Sequence, residues 1–195
     1  MKAKSKTGIH HAAARQRKIA PPPDAAGLRA AALRYLARYA ASSGRLRRVL
    51  TARLARAARD HADFAADPEQ RAILLQAIEI IIADCIDRKY IDDAAFAATK
   101  ARHLRQAGAS RRGLAAKLRT KGLTAAQVAT VLTEEADEEG EQAEYRAALR
   151  LAQRKKLGAF RPGPPDAIQK RRDLAALARA GFSHDVARRA LNNAE

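Results

Sequence analysis

The sequence predicts an all-α protein of three tandem three-helix repeats, arranged as an elongated, modular stack of helix-turn-helix-like units. Ala, the residue with the highest helix propensity, supplies 49 of the 195 residues, and Trp is absent. The chain also partly matches itself when it is shifted along its own length, and its charge is divided into blocks. So much Ala builds thin helical layers, which argues against a β-sandwich or a doubly wound α/β enzyme.

A shift of 68 residues superimposes the first part of the chain on the middle part. The matched residues include a serine followed by leucines four residues apart: Ser42, Leu46 and Leu50 fall on Ser110, Leu114 and Leu118. A serine hydroxyl accepts a hydrogen bond from an unpaired N–H in the first turn of a helix. Each serine is therefore predicted to cap the second helix of its repeat.

A second shift, of 59 residues, superimposes the middle part on the C-terminal part. It places Gly122, Leu123 and Thr124 on Gly181, Phe182 and Ser183. Gly ends a helix in the left-handed conformation, the apolar residue folds back onto that helix, and Thr or Ser caps the next one. We predict two equivalent helix-turn-helix corners here.

These matches define the expected organisation of the chain. Helices are predicted at 28–41, 45–58, 70–88, 93–107, 111–121, 125–137, 139–156, 166–180 and 184–193. The predicted units are a disordered basic N-terminal arm, 1–27, and three repeats, 28–90 (with an inserted linker at 60–69), 91–138 and 139–195. The arm is assigned because it is basic, aperiodic and ends in three prolines.

The third predicted helix has the densest apolar pattern. Helical spacing connects Ile73, Leu74, Ala77, Ile78, Ile81, Ile82 and Cys85, and Ile80 and Ile86 widen this stripe. A strand over 80–82 is the alternative, but Asp84, Asp87 and the length of the segment favour a helix. We expect the most buried helix of the protein here, with Cys85 as an inert core thiol.

Net charge separates into blocks along the chain. Residues 28–62, 94–123 and 145–195 carry +8 each, whereas 63–93 and 124–144 carry −5 and −7. A solubility charge would be scattered, so segregated basic blocks favour a long anionic partner, with nucleic acid first.

Composition also excludes several classes. The single Cys rules out an internal disulfide or a multi-Cys metal site, and no apolar run is long enough to span a membrane. No phosphate-binding glycine loop, metalloprotease motif or nucleophile elbow is present, which argues against an enzyme. We expect a soluble, cytoplasmic, monomeric protein without a cofactor.

Residues 90–97, Tyr-Ile-Asp-Asp-Ala-Ala-Phe-Ala, resemble a signature of the RecX family of regulatory proteins. The neighbouring motifs agree with this resemblance: a Tyr-Leu-Ala-Arg helix (Ala32 to Arg38), a Ser-x-x-x-Leu helix (Ser42, Leu46), a Gly-Leu-Thr corner, and a C-terminal Arg-Ala-Gly-Phe-Ser. The order and spacing of these motifs over residues 28–193 are more specific than any one of them.

The signature has a structural interpretation. Asp92 or Asp93 is expected to cap a helix and to favour its positive end, Phe96 to pack inward, and Ala97 to permit close helix approach. A magnesium site on the two carboxylates is the alternative, but no third acid or phosphate-binding loop accompanies them. The signature residues are Ile91, Asp92, Asp93, Phe96, Ala97, Gly122, Gly181 and Phe182.

The resemblance implies regulation of RecA in recombination, DNA repair and the SOS response. Members of the family bind the RecA filament on single-stranded DNA, lie along its groove, and generally inhibit its recombinase, ATPase and co-protease activities. The candidate contacts to filament and DNA are Arg45, Arg47, Arg48, Arg53, Arg105, Arg111, Arg112, Lys117, Arg119, Lys121, Arg171 and Arg172.

A stand-alone DNA-binding or architectural protein is the alternative hypothesis, and double-stranded DNA is then a further partner. The same basic blocks and helix-turn-helix corners support it. The acidic segments oppose it, because a pure DNA binder gains nothing from Asp and Glu between its basic modules.

Overall fold

The computed structural model describes residues 20–163 and 166–192, except for the side chains of 136–139. All regular secondary structure in these ranges is helical, which confirms the predicted all-α class. The helices are α1 (Ala25–Leu36), α2 (Ser43–Asp60), α3 (Ala62–Ala66), α4 (Pro68–Asp87), α5 (Asp93–Gln106), α6 (Arg111–Thr120), α7 (Ala125–Lys155), α8 (Ala167–Arg179) and α9 (His184–Asn192). One 3₁₀ turn, Gly158–Phe160, lies between α7 and α8.

The N-terminal boundary differs from the prediction. Most of the predicted arm, residues 1–19, lies outside the described residues, but 20–27 belong to the structure. Asp24 caps α1 by accepting a hydrogen bond of 2.7 Å from the Gly27 N–H, so the helix starts three residues before the predicted repeat. The Ala20 carbonyl lies 2.8 Å from His61 Nε2, at the end of α2.

The segment predicted as a linker, 60–69, contains α3 and the start of α4. Phe64 of α3 is buried against the leucines and isoleucines of the N-terminal core. Asp67 accepts a hydrogen bond from the Gln70 N–H and Pro68 occupies the first helical position of α4. Proline suits that position because its missing N–H would be unpaired there in any residue.

A sharp bend at Gly140 divides α7 into two segments. Gly140 has φ 49° and ψ −128°, a conformation available to glycine and costly for a residue with a side chain. The sequence predicted that one helix ends at residue 137 and that the next begins at 139, and the bend lies one residue further on.

Within the described ranges, buried side chains form three separate cores. The first takes residues from Leu28 to Ile91, the second from Ala97 to Val131, and the third from Ala147 to Ala190. The division of the chain into three repeats remains a prediction, and these separate cores support it.

The apolar stripe of α4 is narrower than predicted. Leu74, Ile78, Ile81, Ile82 and Cys85 are buried, as expected. However, the expectation that Ile73, Ile80 and Ile86 also face the core is wrong, because all three are exposed. The buried residues already fill the part of the helix surface that contacts α1 and α2. Burial raises the pKa of the Cys85 thiol, as expected of an unreactive core cysteine.

A serine hydroxyl joins the first core to the second. Ser42 Oγ accepts a hydrogen bond from the Arg45 N–H of its own helix, at 3.1 Å, and donates one to the Lys121 carbonyl at the end of α6, at 2.6 Å. The two backbones touch here: a Cβ added to Gly44 would lie 2.2 Å from the Gly122 carbonyl oxygen. Only glycine fits at such a contact.

The second and third cores are joined in the same way. Ser110 Oγ accepts from the Gly113 N–H at 3.0 Å and donates to the Ala180 carbonyl, at the end of α8, at 2.5 Å. The glycines that follow the two carbonyls have almost equal φ angles, 95° at Gly122 and 96° at Gly181. We call these two contacts the serine joints.

Carboxylates reinforce both serine joints. Asp93 accepts hydrogen bonds from the backbone N–H and the hydroxyl of Ser43, and also from Gln127 at the start of α7. At the second joint, Glu144 accepts a hydrogen bond from the Arg111 N–H. In each case an acid from the following core neutralises the positive N-terminus of a helix.

A largely buried arginine connects the two segments of α7. The Arg105 side chain is 12% exposed and binds Glu135, before the bend at Gly140, at 3.0 Å. It also binds Glu144, after the bend, at 2.6 Å. The guanidinium therefore holds the angle between these segments.

Replacing Ser42 or Ser110 with Ala is expected to lower the free energy of unfolding by about 1–3 kcal/mol, because a cap is lost and a buried carbonyl loses its donor. Ser183→Ala is the control, since Ser183 caps α9 but is exposed. Urea denaturation checks this. Equal losses in all three variants would show that capping alone accounts for the effect.

Arg105→Ala is expected to destabilise the protein by about 2 kcal/mol, because Glu135 and Glu144 would be left close together without a cation. Arg102→Ala, at an exposed position one turn earlier on α5, is the matched control and should change stability by less than about 0.5 kcal/mol. Denaturant titration of both variants measures the difference, and similar values would contradict the proposed role of Arg105 at the bend.

Candidate nucleic-acid interface

Three basic helices, one from each core, contact one another through their ends. The serine joints place the C-terminus of α8 on the N-terminus of α6, and the C-terminus of α6 on the N-terminus of α2. At about 1.5 Å per residue, the three helices provide roughly 60 Å of helix. We call the exposed Lys and Arg residues of α2, α6 and α8, with Lys121 at the end of α6, the basic track.

The α2 portion of the track is a row of arginines. Arg45, Arg48, Arg56 and Arg59 follow one another at helical spacing on the side opposite the buried Leu46, Leu50 and Leu54. The sequence-based list omitted Arg56 and Arg59. Helical periodicity applied to the charges, and not only to the leucines, would have found them.

Several predicted contacts on α2 already have partners within the chain. Arg47 forms two hydrogen bonds with Glu79, which lower the pKa of Glu79 and raise that of Arg47. Arg48 donates to the Thr120 carbonyl at 2.8 Å, and Arg45 donates to the Tyr35 hydroxyl at 3.3 Å. Arg53 is exposed and, among the described residues, has no such partner.

Arg105 lies outside the track. It belongs to α5, is largely buried, and is bound by Glu135 and Glu144. We therefore leave it out of the proposed surface, because an external phosphate would have to displace two internal carboxylates.

The α6 portion consists of five predicted residues, all exposed: Arg111, Arg112, Lys117, Arg119 and Lys121. Within the described residues, none of their side chains forms an ion pair or a hydrogen bond. Arg112 and Arg119 are seven residues apart and share the side opposite the buried Leu114 and Leu118. This helix therefore offers cations with no carboxylate of its own to neutralise them.

The α8 portion holds the predicted residues Arg171 and Arg172, both exposed, and Arg179 at its end. Asp173 is the only acid in this helix, and it points inward. It accepts hydrogen bonds of 2.8 Å from the Gly158 N–H and from Arg161, so it does not oppose the track.

The signature residues are structural. Asp92 caps α5 by accepting from the Ala95 N–H at 2.9 Å, whereas Asp93 bridges to Ser43 and Gln127. Ile91 and Ala97 are buried in the first and second cores, and Phe182 in the third. Phe96 is partly buried, and Lys100 Nζ lies 5.8 Å from the centre of its ring.

A groove of about 780 Å³ lies beside the bend in α7 and is lined by both arginines and glutamates. Within 20–163 and 166–192, no cluster of three or more His, Cys, Asp or Glu is suitable for a metal ion. In the same ranges no helix is both long and apolar enough to cross a lipid bilayer.

Comparison with known proteins points to one family. A family model described as RecX, second three-helix domain, matches residues 92–132. The regulatory protein RecX of Myxococcus xanthus (strain DK1622) is 39% identical over 180 residues, which cover 92% of this chain and 89% of the relative. The regulatory protein RecX of Agrobacterium fabrum (strain C58) is 35% identical over 98 residues, half of each chain. The chain belongs to the RecX family of regulatory proteins.

Proposed function

We propose that this protein binds RecA filaments on single-stranded DNA and inhibits their recombinase, ATPase and co-protease activities, with the basic track contacting DNA. The observation that carries the DNA contact is the end-to-end order of α8, α6 and α2. Membership in a family of regulatory proteins supports a regulatory role, and its resemblance to RecA modulators supplies the partner. The expected setting is the cytoplasm.

The shape of the track suits a polymer. A basic surface that extends over three helices can contact many phosphates in succession, each of which releases condensed counterions. Arg and Lys side chains that are exposed and unpaired bind phosphate without first breaking an internal ion pair. A single small anion would occupy only a small part of such a surface.

Acidic segments favour a nucleoprotein partner over DNA alone. Residues 63–93 and 124–144 carry −5 and −7, and bare DNA would repel them. A filament presents both phosphates and protein surface, so acids and bases can each find a complementary charge. A body that spans adjacent subunits restrains their movement, which is the basis for the expected inhibition.

The arginine row on α2 specifically favours the alternative, a stand-alone DNA-binding protein. Four arginines on one side of a helix would bind a duplex backbone without any protein partner. The two functions differ in their requirement for RecA, and the experiments below separate them.

The variant Arg56→Ala/Arg59→Ala/Arg112→Ala/Arg119→Ala is expected to inhibit the ATPase of RecA on single-stranded DNA at least tenfold less effectively than the wild type. All four side chains are exposed and, in the part of the chain that the structure describes, unpaired, so folding should be retained. The measurement is a dose–response curve for ATP hydrolysis.

The matched control is Arg34→Ala/Arg38→Ala/Arg102→Ala/Lys155→Ala. It removes four exposed bases outside the track, so both variants fall from the wild-type net charge of +17 by four, to +13. Equal inhibition by both variants would show that only total charge matters. A wild type that leaves RecA untouched but binds duplex DNA tightly would support the stand-alone function.

Binding to bare single-stranded DNA should weaken steeply with salt, with log K falling by about 0.7 for each phosphate contact per tenfold rise in salt. The variant that lacks four track arginines should therefore show a slope shallower by up to about 2.8, whereas the control variant keeps the wild-type slope. Fluorescence anisotropy at several salt concentrations measures both slopes. Identical slopes would remove these arginines from the DNA contact.

A further inference from the structure

Exposed apolar side chains are concentrated on the first core. Eight large apolar or aromatic residues are exposed among the described residues, and seven of them lie between Leu33 and Tyr90. The remaining one is Ile168 of α8. Exposed apolar side chains that are grouped in one part of a helical protein are typical of a site for another macromolecule.

One side of α4 combines two of these residues with acids. Ile73 and Ile80 are 59% and 64% exposed and lie seven residues apart, on the same side of the helix. Glu69, four residues before Ile73, and Asp87, seven residues after Ile80, are exposed on that side too. We call these four residues the α4 row.

The acids of the α4 row are available to a partner. Glu79 and Asp84, the other two acids of this helix, are bound by Arg47, Arg29 and Arg88. No such ion pair involves Glu69 or Asp87 within the described residues. The row therefore presents an apolar centre with a negative charge at each end.

Charge decides which occupant fits the α4 row. Nucleic acid is repelled by both carboxylates, because its phosphates are negatively charged. A second copy, packed symmetrically on the same row, would bring Glu69 and Asp87 against the equivalent acids. A protein that assembles on DNA, in contrast, carries basic side chains around its nucleic-acid groove.

We propose that the α4 row docks on the protein component of the filament, at an apolar patch bordered by Lys or Arg. This inference rests on the proposed function and assigns its two contacts to different faces of the chain. The basic track takes the phosphates, and the α4 row takes the protein.

The test compares filament binding with binding to bare single-stranded DNA. Ile73→Ala/Ile80→Ala should weaken binding to RecA filaments by about tenfold or more and leave binding to bare DNA unchanged. Ala is the better helix former, so α4 should remain folded, and thermal unfolding verifies this. Leu75→Ala/Ile86→Ala is the matched control, because Leu75 and Ile86 are 46% and 40% exposed on the same helix but lie on its opposite side.

A charge variant tests the same surface independently. Glu69→Lys/Asp87→Lys should weaken filament binding, although it adds positive charge and should strengthen binding to bare DNA. This opposite response separates protein docking from a general electrostatic effect. If the charge variant binds filaments more tightly, the α4 row faces the nucleic acid and the inference is overturned.

Other outcomes also overturn the inference. If the Ile73→Ala/Ile80→Ala variant binds filaments as tightly as the wild type, this inference is overturned and the proposed function stands. If the wild type itself does not bind filaments, the proposed function is overturned as well. A wild-type dimer that this variant dissociates would assign the row to a second copy. If the Ile73→Ala/Ile80→Ala variant loses thermal stability in the full chain but not in a chain without residues 1–19, the α4 row binds the chain's own basic N-terminal segment.

Discussion

Two serine hydroxyls determine how the three cores are connected. Each accepts a hydrogen bond from the first turn of one helix and donates to a carbonyl at the end of another. Both partners are backbone groups that helix ends leave unpaired, so one small side chain satisfies two helices at once. Because each joint places one helix end on another, it also sets the order of contact from α8 through α6 to α2. The order of the basic track therefore follows from the same contacts that connect the cores.

Local signals in the sequence predicted much of this arrangement. Ser42, Ser110 and the glycine corners were identified because caps and left-handed turns depend on residues close together in the chain. The partners of these groups were not predictable in the same way. Ser42 binds a carbonyl 79 residues away, and Asp93 combines contacts from both neighbouring cores. Such pairings depend on how the helices pack, which neither composition nor periodicity encodes directly.

Charged residues illustrate the same limit. Arg105 and Arg112 look alike in the sequence, since both are arginines in a segment without acids. Packing separates them: Arg105 lies between Glu135 and Glu144, which come from beyond that segment, whereas Arg112 stays exposed. The isoleucines of α4 show the same limit for apolar residues, because Ile78 is buried whereas Ile80 is exposed. Helical spacing indicates which positions of a helix face the core, but the area of contact with the neighbouring helices decides how many of them are buried.

The first core carries two surfaces with different physical properties. Its α2 side presents arginines, and its α4 side presents isoleucines between two acids. Phosphate contacts weaken steeply as salt rises, whereas burial of apolar surface does not. On the proposed function, a filament engages both surfaces, and each contact raises the effective concentration of the other. Bare DNA engages one and is repelled by the other. If the proposed function holds, a chain with a net charge of +17 gains selectivity for a nucleoprotein by keeping acids where DNA alone would favour bases.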